Sequence, residues 1–222
     1  MSSELVDQIA KNPEIVTLGG EKKIITVFFS DIKDSTAHSE KTEITSWVSQ
    51  MNEYFTAMEN VLKAYGGTLD KYEGDAVMGF FNAPISQNNH VFRAYLTAIS
   101  MQKALTKLHE KWGLEGKPLI EFRIGINTGE SLVGNFGSKD RFNYTVMGDT
   151  VNTASRLESA ANKTYGTKMM VGGFNGILSQ EDVVKIVLRE IDTVLLPGKK
   201  EPVTLYELVG LKEDVSAQMT EI

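Results

Sequence analysis

The stretch Thr68-Leu69-Asp70-Lys71-Tyr72-Glu73-Gly74-Asp75-Ala76-Val77-Met78-Gly79-Phe80-Phe81-Asn82 decides how this chain folds. Residues 68–73 and 76–82 read as two short strands around Gly74, which predicts a hairpin. A helical pattern flanks the hairpin on each side. Before it, Ile44, Trp47, Val48, Met51, Tyr54, Phe55, Met58, Val61 and Leu62 recur at helical spacing over residues 42–65, and Gly66-Gly67 supplies the stop. After it, Val91, Tyr95, Ala98, Ile99, Met101, Leu105 and Leu108 predict a second helix over residues 89–112. Further out lie two more strands. Residues 24–30 are apolar on both faces, as in a central strand, and residues 119–128 alternate through Ile120, Phe122, Ile124 and Ile126. The order β-α-β-β-α-β predicts an α+β fold with a ferredoxin-like core, its first and third strands antiparallel neighbours at the sheet centre.

The rest of the chain predicts a C-terminal α/β extension to this palm-like core. It comprises a hairpin partner at 130–136, a helix at about 150–162, a short strand at 168–171 and a helical turn. Two strands follow, at 183–194 and 202–209, separated by Pro197-Gly198. Residues 1–20 read as a short linker helix and loop, 21–210 as one domain, and 211–222 as a frayed tail. A chain of 222 residues is long enough for one substantial core. The absence of cysteine excludes disulfides and thiolate zinc sites, and three scattered histidines (His38, His90, His109) argue against a histidine-rich metal centre. A net charge of -6 argues against a nucleic-acid surface. No apolar run reaches the roughly 20 residues of a membrane span, and the first dozen residues lack a signal-peptide core. A soluble, cytoplasmic chain without membrane insertion is therefore expected. No Gly-x-x-x-x-Gly-Lys-Ser/Thr loop occurs, so P-loop chemistry is excluded.

The predicted topology has a chemical consequence. Asp31 ends the first strand and Asp75 begins the third, so antiparallel pairing brings both carboxylates to one end of the sheet. Hard oxygen ligands without histidine or thiolate suit Mg²⁺ or Mn²⁺, and magnesium held by two carboxylates implies a phosphate-bearing ligand. Taken singly, each residue also fits a turn or hairpin aspartate. Asn152 and Arg156, four residues apart, project from one helix face near its start, where they either donate to a charged transition state or form a solvated polar face. Asp149 is a possible N-cap of that helix.

Four ordered blocks resemble the class III nucleotidyl cyclases. They are Phe28-Phe29-Ser30-Asp31-Ile32-Lys33-Asp34-Ser35-Thr36, the stretch Leu69 to Met78, Gly125-Ile126-Asn127-Thr128-Gly129 through Val133-Gly134-Asn135, and Tyr144-Thr145-Val146-Met147-Gly148-Asp149-Thr150-Val151-Asn152-Thr153-Ala154-Ser155-Arg156. The resemblance runs from about Gly19 to Gly210. It implies an adenylate cyclase of the bacterial type, forming 3′,5′-cyclic AMP and pyrophosphate from ATP. By the same resemblance, Asp31, Asp75 and the Ile32 carbonyl hold two Mg²⁺ or Mn²⁺ ions, and Asn152 and Arg156 serve the partner's site in a homodimer. Lys71 and Thr145 occupy the base-selecting positions, and a lysine there goes with ATP rather than GTP. Thr36, Arg141 and Lys199 are carried over as further substrate contacts.

Two departures stand out. Asp34-Ser35 replaces the usual Gly-Phe after the first metal aspartate. Pro197 occupies the position of a phosphate-binding lysine, so Lys199 or Lys200 substitutes for it or the run is a solvated turn. The resemblance also implies an upstream sensor or membrane module. The alternatives are a guanylate cyclase, disfavoured by Lys71, and a non-catalytic nucleotide-sensing homologue, disfavoured by the presence of both aspartates and the Asn/Arg pair.

Overall fold

The computed structural model describes residues 18–174 and 176–220. Most of the expected N-terminal helix and loop, residues 1–17, lies outside the described residues. Strand β1 (Gly19–Ile32) is followed by helices α1 (Ser35–Lys41) and α2 (Ile44–Ala64), strands β2 (Thr68–Glu73) and β3 (Ala76–Phe81), and helix α3 (His90–Leu114). Then come β4 (Phe122–Gly137), β5 (Phe142–Met147) and α4 (Asp149–Arg156), which runs on into a π-helical turn (Leu157–Ala161) and α5 (Asn162–Tyr165). The chain closes with β6 (Met169–Gly172), α6 (Gln180–Val183), β7 (Ile186–Val194), β8 (Val203–Leu211) and α7 (Lys212–Thr220).

The sheet has the order β2-β3-β1-β4-β6-β8-β7, with β5 paired to β4. Its first four strands are the expected palm core: β1 lies antiparallel between β3 and β4, and β2 hairpins onto β3. The alternation of β1 explains its double-sided apolarity. Phe28 and Ile32 face α2 and α3, where Tyr54, Met58, Leu62, Tyr95 and Trp112 complete the main core. Ile25 and Val27 face the other side and pack with Met78, Phe80, Val133, Val146 and Ala154 of α4. Trp47 and Tyr54 are thus core, as their helical stripe predicts. His90 is used structurally, its Nδ1 2.7 Å from the Thr26 hydroxyl, and His109 Nε2 bonds the Ile120 carbonyl at 2.7 Å.

The structure corrects several expectations. Residues 119–128 and 130–136 are not two strands of a hairpin. They form one 16-residue strand, β4, because β1 is long enough to pair along it from Ile32↔Phe122 to Gly19↔Asn135. The C-terminal α/β extension is present as expected and joins the same sheet, since β6 pairs parallel to β4 and brings in β8 and β7. The expected tail beyond residue 210 is instead the end of β8 followed by α7. Glu213 and Asp214 in the first turn of α7 complement the helix dipole, and Lys103 of α3 holds Asp214 at 2.7 Å.

Candidate active site

The turn of the β2–β3 hairpin contains only Gly74 and Asp75, because Glu73 pairs with Ala76. Gly74 takes φ 64°, a left-handed backbone that a side chain disfavours, and this tight turn fixes Asp75 at the end of β3. The antiparallel register does the rest. Ile32 N–H donates to Asp75 Oδ2 at 3.2 Å, so Asp75 sits against the end of β1 beside Asp31. Burial, then the neighbouring Asp75 carboxylate, pushes the Asp31 carboxyl up to about 6. Two crowded acidic groups at one strand end are a poor arrangement for an empty protein interior and a good one for a divalent cation. Among the described residues no cluster of three or more His, Cys, Asp or Glu side chains exists. A pair plus the Ile32 carbonyl therefore fits an ion that completes its shell with substrate phosphates and water.

Arg123 is the cross-strand partner of Asp31 and lies 3.6 Å from its Oδ2. Its Nε also lies 3.4 Å from Glu158, which the π-helical turn aims back at the sheet. Burial first, then the Asp31 charge, pushes Glu158 up to about 7 while Arg123 opposes both. Thr36, on α1, lines a cavity of about 460 Å³ together with Asp75, Trp47 and Phe55.

A second group gathers around β5 and α4. Thr145 on β5 is buried and donates its hydroxyl to Asp70 Oδ2 at 2.5 Å, while the Lys71 ammonium lies 3.6 Å from Asp70 Oδ1. Lys71 and Thr145, distant in sequence, thus meet at one carboxylate. A β-bulge in β2 between Leu69 and Lys71 disturbs the alternation that would send adjacent residues 70 and 71 to opposite faces. Asp70 was not legible from the sequence for that reason.

Helix α4 carries an exposed Asn152 and a half-buried Arg156 on one face. Its N-cap is Gly148 rather than Asp149, and Asp149 instead pairs with the Lys199 ammonium. The turn at 196–200 folds over α4, bringing Gly198 against the Arg156 guanidinium. Lys199 therefore joins Asn152 and Arg156, whereas Arg141 stands exposed in the β4–β5 loop, its backbone bonded to Ser138. Among the described residues no hydrogen bond or ion pair links the Asp31–Asp75 end to Asn152, Arg156 or Lys199. The two groups of residues are therefore separate within one chain.

Known proteins are similar to this chain in sequence and fold. The chain is 36% identical over 193 residues to adenylate cyclase 1 of Rhizobium meliloti, covering 86% of this chain but 28% of that relative's length. The adenylyl cyclase CyaB from P. aeruginosa superposes with a TM-score of 0.76 at 35% identity, covering 89% of this chain and 99% of the solved one. The guanylyl cyclase Cya2 superposes with a TM-score of 0.76 at 32% identity, covering 88% and 96%. Residues 20–210 match the adenylate and guanylate cyclase catalytic domain, and with the palm core in place, the chain belongs to that family.

Proposed function

We propose that the chain is an adenylate cyclase catalytic domain that converts ATP to 3′,5′-cyclic AMP and pyrophosphate, working as a homodimer with sites shared between subunits. The observation that carries this reading is the convergence of Asp31 and Asp75 at one end of β1 and β3, apart from Asn152 and Arg156 in the same chain. In the reaction the ribose 3′-oxygen attacks the α-phosphorus. The bond to the β-phosphate oxygen breaks, pyrophosphate leaves, and the hydroxyl proton passes to solvent. Two divalent ions held by Asp31, Asp75 and the Ile32 carbonyl would supply positive charge beside the attacking and leaving oxygens.

The protein's own groups bind and orient. Lys71 of the partner subunit donates to an adenine ring nitrogen and Thr145 of the partner subunit accepts from the exocyclic amine. Asn152 of the partner subunit holds the ribose, and Arg156 of the partner subunit donates to the α-phosphate as charge builds there. Lys199 exchanges Asp149 for the terminal phosphates, and Thr36 borders the triphosphate from the cavity beside Asp75. Arg141 approaches the nucleotide only from across a dimer interface. Leu132 and Met147, cross-strand partners left exposed on β4 and β5, support such an interface. The chain spans about a quarter of its Rhizobium relative. An upstream sensor or membrane module in a longer protein, and a cytoplasmic location where ATP and Mg²⁺ are present, complete the reading. Among the described residues no helix is long and apolar enough to cross a membrane.

The test is turnover of ATP and GTP with Mn²⁺. Wild type is expected to form cyclic AMP and to prefer ATP, and Asp75→Ala is expected to abolish the activity. Conversion of ATP that survives Asp75→Ala unchanged overturns the two-metal assignment.

A further inference from the structure

Asp70 lies beside Lys71 and Thr145 with its side chain only 1% exposed. Its neighbours are all donors: the Thr145 hydroxyl at 2.5 Å from Oδ2, the Val146 backbone N–H, and the Lys71 ammonium in an ion pair 3.6 Å from Oδ1, an oxygen that makes no hydrogen bond. Burial pushes its carboxyl above the ordinary aspartate value, and the Thr145 hydroxyl and Lys71 pull it back. An apolar side chain would fill this space without placing a charge in it, and such replacements are often neutral or stabilising. Stability alone therefore does not account for a carboxyl group there.

The consequence lies in the polarity of Thr145. A threonine hydroxyl has one proton and two lone pairs, and it rotates to suit whatever it meets. Free to rotate, it accepts from the 6-amino group of adenine or donates to the 6-oxo group of guanine equally well. With its proton committed to Asp70, only lone pairs remain for a ligand. An amine then finds an acceptor, while a carbonyl oxygen faces another oxygen with no proton between them.

We propose that Asp70 is a positioning residue for base selection: it fixes the Thr145 hydroxyl as an acceptor and so favours a purine with an exocyclic amine over one with a carbonyl at the same place. The inference rests on the reading of Lys71 and Thr145 as the base-facing pair and deepens it. It assigns the selectivity that a threonine cannot supply by itself to a residue that never touches the nucleotide.

The experiment compares kcat/KM for ATP and GTP, and separately the affinities for non-hydrolysable ATP and GTP analogues with Mg²⁺ by calorimetry. Asp70→Leu keeps the branched shape and removes the acceptor, and thermal melting checks its folding. The ATP-to-GTP ratio is expected to fall about three- to tenfold, the worth of one hydrogen bond. Adding Thr145→Asp, whose side chain can only accept, is expected to restore the ratio. Thr145→Asp alone sets two carboxylates against each other, so its melting temperature is expected to fall and to recover on adding Asp70→Leu. That recovery is readable even if Asp70→Leu alone folds poorly.

A purely structural role lowers both substrates together and leaves the ratio unchanged, which overturns the inference while cyclic AMP formation by wild type still stands. If wild type turns over neither nucleotide but the analogue affinities shift as described, the proposed activity fails and the role of Asp70 holds. Absence of both the ratio change and the reciprocal recovery overturns it outright.

Discussion

Glu53 shows how one side chain can hold two elements. Its carboxylate receives Lys111 at 2.8 Å, Lys117 at 3.0 Å and Trp112 Nε1 at 3.1 Å, tying α2 to the end of α3 and the turn beyond it. The Lys111 bond, then the Lys117 bond, holds its carboxyl down at about 2. A lowered folded value means the contribution is complete above the ordinary glutamate value of 4.5 and is lost as pH falls toward about 2. Glu53→Gln is accordingly expected to cost about 1 kcal/mol at neutral pH. The gap from wild type should close over that acid window when unfolding is followed in urea at several pH values. A gap independent of pH would show that the Lys111 and Lys117 bonds do not depend on the charge. Partners of this sort separate the readable from the unreadable in the sequence. Asp31 and Asp75 could be paired from topology alone, because strand ends and antiparallel order fix where they lie. Asp70, Arg123 and Glu158 could not, since a bulge, a register and a π-helical turn decide what each one faces.

Helix α4 is set by what lies beneath it. A Cβ on Gly125 of β4 would stand 2.3 Å from both the Ala154 carbonyl and the Glu158 backbone nitrogen, so the helix and its π-helical turn rest directly on the strand. At Gly129 the obstructing group is the Thr150 hydroxyl, 2.7 Å away. This explains why residues 119–136 read as two strands: Gly129 looks like a turn glycine but marks a close approach within one continuous strand. The predicted helix over 150–162 is in fact three segments: α4, the π-helical turn and α5. Gly125→Ala must displace backbone, and is expected to cost about 1–3 kcal/mol in a denaturation experiment. Cyclase turnover should drop more than nucleotide affinity, because α4 carries Asn152 and Arg156 away from their working position. A variant with wild-type stability and rate would show that the helix is free to ride higher on the sheet.

At the scale of the whole molecule the two half-sites make a prediction about assembly. Mixing Asp31→Ala chains with Asn152→Ala chains is expected to return roughly a quarter of wild-type activity, since half of randomly mixed dimers hold one intact site of two. If heterodimers form and activity stays absent, the site is not shared in this way. The palm core was legible because each of its helices and strands carries its own periodicity. The extension was less so, because its strands find their places by pairing with β4 and with one another rather than by any local signal. The same long-range pairing governs how the chain is made. Among the described residues the strands that pair with β1 are β3 and β4, and β4 lies some hundred residues downstream. At ribosomal speeds of about 5–20 residues per second, β1 waits roughly 5 to 20 seconds, with one edge unpaired even after β3 has emerged, for its longest neighbour. During synthesis this central strand therefore stays open to wrong pairing along its β4 edge until most of the domain has emerged.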